Sequence, residues 1–429
     1  SPDCHPYSRT ERHRAMGVQQ MSIDAARTLD PALGLVTEAS IYLPNEVGLW
    51  RTVGLLANAG TGVSGFASAV GAFDVNRRAS ITRGAGEAVE RFALVPADAD
   101  SDCLLMAHLQ GADMASQRID YVTPGLGMAS ALAYELPWYA ATDLLTGKES
   151  CVPAPVVDYG GGILNPWDAF FDPSPNGAAS GPSGAFAKAS GVAEVIERDA
   201  FLAAWRTRTA LQLFHDAGIP DPLRGTQETQ RLLGLLYAAH ARGISPTLAF
   251  IPSDEGPLHT AVCIIIGKSD DGGAHQRQFG AVGIKAASDP MAALRGALQE
   301  GLQIRELFLA RTPSVMPVLE VTDDGSRAGY WTRPESIAEL SEWARSFGAS
   351  EFPAAKAAAD ADALVKWLDS RGIKTYWDSL THRVPPAIQE LGWVTGKAVC
   401  PGTIPLTMDE TKGLARMPGG SSTTPHPLI

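Results

Sequence analysis

Apolar positions recur at helical spacing in three long stretches of the chain. The first stretch predicts a helix opened by Asp74 as N-cap and running through Arg77 to about Leu94. The second predicts a helix over 185–205, free of proline and with Gly191 as its one glycine. The third follows Pro290, a residue suited to a first helical turn, and runs to about Ala310. Shorter helical patterns cover 334–347 and 361–372. Residues 245–253 and 259–268 read as paired strands across a Ser-Asp-Glu-Gly-Pro turn, and 373–377 as a further strand. A middle region, 96–183, is rich in Pro, Gly and Ala and leads into the loop DPSPNGAASGPSG. Helices and strands alternate without a regular βαβ period, so the predicted class is mixed α/β (α+β).

Composition narrows the picture. Of the 429 residues 45% are hydrophobic and 19% charged, which is ordinary for a soluble globular protein. The most apolar stretch, 261–267, has strand length, and no run is long enough to span a membrane. Charge comes early (Arg9, Glu11, Arg12, Arg14) with no apolar region after it, so no secretory signal is predicted. Five scattered cysteines form no Cys-x-x-Cys pair, which fits a reducing cytoplasm and argues against a zinc ribbon. A net charge of -12 argues against non-specific nucleic-acid binding, since no basic field meets the phosphates.

The informative feature is a repetition. The first helix contains GAGEAVERFA and the second GVAEVIERDA, each a Glu-x-x-Glu-Arg among small and apolar residues. Residues three apart share a helix face, so Glu87 and Glu90 stand side by side, as do Glu194 and Glu197. Arg83 and Ser190 lie one turn earlier on the same faces, and the third helix repeats the spacing with Glu300 and Gln303. A single such pair is usually a solvated face. Here the apolar neighbours predict burial, and buried like charges repel unless something positive lies between them. Two facing pairs therefore suggest a site for Mg²⁺, which prefers carboxylate and water oxygens and can hold a triphosphate. No P-loop is present. GTGVSG at 60–65 fits Gly-x-Gly-x-x-Gly, but a helix opened by Asp74 would repel a phosphate there.

These motifs, with SPNGAASG, GAVGIKAASDPMAALRGALQEGLQIR, TYWDSLTHRVPPAIQELGWVTGKAVCPGTIPL and the tail TPHPLI, resemble the YcaO superfamily, in particular the D-type cyclodehydratases of azoline-forming peptide biosynthesis. The resemblance implies an ATP-binding fold without a P-loop, with ATP and Mg²⁺ between carboxylate-bearing helices. It implies metal-holding roles for Glu87, Glu90, Glu194 and Glu197. It implies cofactor contacts from Asn176, Ser190, Arg206, Glu300 and Gln303, with Arg83 among the arginines supplying positive charge. Members often carry an arginine one turn before the third-helix glutamate; that position is Gly296 here, with Arg295 displaced by one. Many members end in Pro-x-Pro-x-Pro, whereas this sequence reads Pro425-His426-Pro427-Leu428-Ile429.

The implied activity is ATP-dependent activation of a backbone amide, turning Cys, Ser or Thr of a ribosomal precursor peptide into thiazoline or oxazoline. Thioamide or macrocyclic amidine formation on the same fold is an alternative, and a non-catalytic scaffold or activator is another. No leader-binding module is recognisable, so a partner of the ubiquitin-activating-like or winged-helix type is expected. The resemblance leaves room for a flavin dehydrogenase acting afterwards and for a homodimer. The expected organisation is an N-terminal extension (1–45), a catalytic domain (46–417) and an extended tail (418–429). After the flexible stretch 419–424, the Pro-His-Pro segment is expected to run back to the ATP site. There the Ile429 carboxylate or His426, with Pro427 between them, would accept the proton released on ring closure.

Overall fold

The computed structural model describes residues 23–59, 69–98, 100, 105–108, 135–160, 168–252, 255–269, 277–310, 318, 320–412 and 424–429. The Gly-x-Gly-x-x-Gly match and residues 419–423 of the expected flexible stretch lie outside them.

Three sheets carry the fold. The first is antiparallel, with β1 (Val36–Tyr42), β2 (Trp50–Leu56) and β3 (Ala69–Asp74) in that order. β1 falls within the segment expected to be an extension, yet it pairs along its length with β2. The second sheet contains β4 (Leu105–His108), β5 (Glu135–Asp143), β6 (Glu149–Pro153), β7 (Ala178–Gly181), β13 (Tyr376–Ser379) and β14 (Val394–Val399). The third contains β8 (Gln212–Leu213), β9 (Thr247–Phe250), β10 (His259–Ser269), β11 (Arg277–Ala287) and β12 (Gly348–Ala349). Its order is β11-β10-β9-β8-β12, which leaves β11 on an edge.

The three long helices lie between the sheets. α1 spans Arg77–Ala93, α2 Gly184–Thr207 and, after α3 (Gln227–Ala241), α4 spans Pro290–Ala310. The N-cap of α1 is Asn76 and not Asp74: its Oδ1 accepts from the N–H groups of Arg78 and Ala79 at 2.8 and 3.2 Å. Asp74 is still held in the β3 ladder opposite Trp50, so the chain becomes free to turn only after it. Its carboxylate instead accepts from the Asn76 N–H and pairs with Arg83 at 3.4 Å. The expected β9–β10 pairing is present, from Phe250 opposite Ala261 to Thr247 opposite Ile264. The strand expected over 373–377 starts later, at Tyr376, because the Ile373 N–H is taken by the Leu368 carbonyl at the end of the preceding helix.

The largest core joins α2, α3 and α4 to the third sheet and includes α5 (Asp324–Tyr330) and α6 (Pro334–Arg345) through Trp331 and Trp343. Trp205 packs edge-on against both, with ring centroids 5.6 and 5.2 Å away. The tail docks on this cluster. The Thr424 carbonyl accepts from Trp205 Nε1, and the His426 carbonyl from Trp331 Nε1 and Arg327. Arg327 is fully buried; it also donates to the carbonyls of Thr407 and Met408 and pairs with Glu410 at 2.9 Å. Replacing Arg327 by Met should leave these acceptors unpaired and cost about 3 kcal/mol or more. Denaturant unfolding should show that loss, and limited proteolysis should find the tail released; unaltered unfolding would contradict the clamp.

Candidate active site

The repeat sets each pair of glutamates against the arginine that follows it. Along α1, Arg91 Nε lies 3.0 Å from Glu87 Oε1 and 3.9 Å from Glu90 Oε1. Along α2, Arg198 Nη1 lies 3.5 Å from Glu194 Oε2 and 3.4 Å from Glu197 Oε1. Each Glu-x-x-Glu-Arg thus supplies two carboxylates and the cation between them. The two helices also feel each other: Glu194 is among the charges acting on Glu90, and Glu300 of α4 among those acting on Arg198.

Backbone amides hold the outer oxygens. Gly177 N–H donates to Glu194 Oε1 at 3.1 Å, in a turn where Gly177 takes φ +85. The Asn-Gly pair is therefore a turn that aims a donor at the second helix. On the free edge of β11, Ile284 N–H donates to Glu300 Oε2 at 2.7 Å and Ala286 N–H to Glu197 Oε2 at 2.6 Å. Alternate edge amides point the same way, so one strand orients carboxylates from two helices.

The cluster carries a surplus of negative charge. Burial first, then the charges of Glu87 and Glu194, push the Glu90 carboxyl well above the usual range, against the pull of Arg91 and Arg198. Burial and then Glu197 push Glu300 up to about 7. Burial opposes the charge on Arg91 and Arg198, yet the surrounding carboxylates raise both above their ordinary value. Among the described residues no three His, Cys, Asp or Glu side chains converge as metal ligands. The oxygen-only donor set and its surplus charge nevertheless suit Mg²⁺, provided the guanidiniums yield part of their pairing.

Two cavities flank the cluster. A cleft of about 690 Å³ is lined by Arg83, Glu87, Glu90, Ser190, Phe186 and Trp393, among others. A second cavity, of about 590 Å³, includes Glu87, Arg91, Tyr159, Gln303, Asp324 and Ile429 in its lining. Glu87 belongs to both.

Other expected site residues lie elsewhere. Arg295 turns to Glu228 of α3, at 2.5 Å, and to Gln299; its position on α4 faces that helix and not the glutamates. Asn176 lines a separate small cavity with Asp172 and Lys397. Arg206, two turns beyond Arg198, acts with it and Arg327 on His426. His426 is buried outside the lining of both cavities. Its Nε2–H must donate to the Thr407 carbonyl at 2.7 Å, while burial and Arg327 hold the ring neutral. It anchors the tail. Pro427 is buried beside it. Arg91 and Arg198 were not among the expected site residues, although the repeat contains both. Gln299, which donates to the Phe73 carbonyl at 2.7 Å and ties α4 to β3, had no signal in the sequence beyond its position.

A family model described as YcaO cyclodehydratase, ATP- and Mg²⁺-binding, matches residues 75–404. The chain belongs to the YcaO family. As a YcaO protein it binds ATP and Mg²⁺. Its fold matches that of YcaO from Methanopyrus kandleri bound with AMPPCP and Mg²⁺, with TM-score 0.62 and 16% identity over 92% of this chain and 93% of that one. A heterocyclase in complex with substrate and cofactor gives TM-score 0.67 at 16% identity, over 88% of this chain and 51% of its own, so the YcaO chain spans about half of that protein. A chain of the E. coli microcin synthetase McbBCD complex gives TM-score 0.58 at 15% identity, over 85% and 88%. At these identities the likeness is one of fold. No curated protein matches the sequence. Among the described residues no helix is long and apolar enough to cross a membrane.

If Arg198 neutralises the cluster as its contacts indicate, Arg198→Gln should destabilise this YcaO protein by about 2 kcal/mol, because the buried Glu197 would be left facing the half-buried Glu194 and Glu300. Equilibrium unfolding without divalent cations measures this; a variant as stable as the parent would show that the carboxylates do not depend on it.

Proposed function

We propose that this YcaO protein is an ATP-dependent cyclodehydratase that converts Cys, Ser or Thr residues of a ribosomal precursor peptide to thiazoline or oxazoline. The observation that carries the reading is that Glu87 lines both cavities, so a ligand in each would meet at the carboxylate cluster. The cleft takes the nucleotide: Phe186 and Trp393 offer an apolar wall for a base, and Arg83 and Ser190 offer polar contacts. The cavity containing Gln303 and Ile429 takes the peptide amide.

Glu87, Glu90, Glu194 and Glu197 would hold Mg²⁺ against the phosphates, with Glu300 beside them. When bound, ATP supplies the phosphoryl group that makes the amide oxygen a good leaving group after the peptide's own thiol or hydroxyl has added to the carbonyl. The chain's residues position the two ligands and balance charge as the oxygen departs. Arg91 and Arg198, displaced from part of their carboxylate pairing, face the site with donors suited to phosphate. The tail acts through Ile429, which lines the amide cavity, while His426 fastens it.

A leader-binding partner of the ubiquitin-activating-like or winged-helix type completes the proposal, and a flavin dehydrogenase acting on the product is compatible with it. The fold likeness to a chain of the McbBCD complex, and to a structure of that complex with pro-MccB17 bound, supports a peptide substrate and partner proteins. The intact carboxylate cluster speaks against a purely scaffolding role.

Incubating the cognate precursor peptide with ATP, Mg²⁺, this chain and its partner should remove one water mass per ring, read by mass spectrometry. Glu87→Gln and Glu194→Gln should abolish both ring formation and peptide-dependent phosphate release, with little change in melting temperature; a peptide mass that never falls would overturn the proposal. The tail is tested separately. Deleting Leu428 and Ile429 keeps the His426 anchor, and should lower ring formation at least tenfold while Mg²⁺-dependent ATP affinity stays nearly intact. Normal ring formation by that variant would remove the tail from the reaction.

A further inference from the structure

Lys285 stands on β11 between the two backbone donors that hold Glu300 and Glu197. Its side chain is half exposed, and its Nζ lies 3.5 Å from Glu197 Oε2. That oxygen already accepts the Ala286 N–H at 2.6 Å, and 3.5 Å is long for a charge-assisted hydrogen bond. Arg91 and Arg198, by contrast, are each shared by two carboxylates of their own helix. The lysine also pulls on Glu300, so its ammonium reaches the place where α2, α4 and β11 meet.

What lets it reach there is Gly296. A Cβ at position 296 would come within 2.4 Å of Lys285 Cγ and 2.8 Å of its Cβ, so the lysine stem lies in the space a side chain at 296 would fill. Gly296 is one turn before Glu300 on α4, where the sequence left an expected arginine missing. The two positions form one unit: the helix gives up a side chain and the neighbouring strand supplies a cation through the gap.

We infer that Lys285 is a nucleotide-phosphate ligand of this protein, contacting the terminal phosphates of a nucleoside triphosphate from the space that Gly296 leaves open. The inference rests on the nucleotide placement proposed above. A flexible ammonium with one long ion pair can turn from Glu197 to a phosphate oxygen as Mg²⁺ takes up the carboxylates, whereas the two arginines start more heavily engaged. Its contact is with the polyphosphate end and not with the nucleoside.

The test is equilibrium binding of AMPPCP and of AMP, each with Mg²⁺, to the full chain. Lys285→Met should weaken AMPPCP binding about tenfold or more and leave AMP binding unchanged. Combining Lys285→Gly with Gly296→Arg should recover most of the AMPPCP affinity, because removing the whole lysine side chain, Cβ included, lets the new guanidinium enter the vacated space from the helix side. AMPPCP affinity unchanged in Lys285→Met, or AMP affinity reduced by the same factor, would overturn the inference and leave Lys285 as a partner of Glu197 alone. A parent protein that binds no AMPPCP at all would instead overturn the nucleotide reading on which it rests.

Discussion

Like carboxylates crowded together in a largely desolvated seam must be neutralised, and this protein does so twice over. Each helix brings its own guanidinium within the five-residue repeat, so α1 and α2 arrive with their charge partly balanced. Backbone amides from the turn before β7 and the edge of β11 donate to Glu194, Glu197 and Glu300 as well. Edge-strand N–H groups are ordinarily a hazard because they invite another chain to pair. Here they are consumed by Glu197 and Glu300, which stabilises the cluster and protects the edge with the same bonds.

That arrangement places the carboxylate cluster at the seam of the fold. α1 packs on the first sheet, α4 on the third, and α2 runs between the second and third with Arg206 pointing on towards the tail. A cation or phosphate bound at the cluster would touch residues from all of these layers. Ligand binding and domain stability are therefore coupled here by construction.

The long helices were legible because their signals are local: apolar period, Pro290 at a first turn, and a charge pattern repeated in two places. The misreadings share a different cause. Asp74 and Asn76 are both able to cap a helix, and the choice depends on where β3 lets go, which is set by Trp50 more than twenty residues earlier. Arg295 and Gly296 differ by one position on a helix, about 100° of rotation, and only the packing of α3 against α4 decides which faces the glutamates. The Gly177, Ile284 and Ala286 donors are backbone groups that every residue but proline carries, so no side-chain motif could announce them. His426 was read for its ionisable ring, but burial under Arg327 makes that ring a neutral peg.

The docking of the tail has an optical consequence. Trp205 and Trp331, stacked edge to face, each donate an indole N–H to a tail carbonyl. Indole emission responds to the polarity and hydrogen bonding around that nitrogen, so the protein carries two intrinsic chromophores that report the same event. Undocking would free both donors at once and admit solvent to an otherwise dry aromatic cluster. A shift in intrinsic fluorescence, without any label, would then mark the moment at which the cavity wall formed by Ile429 opens.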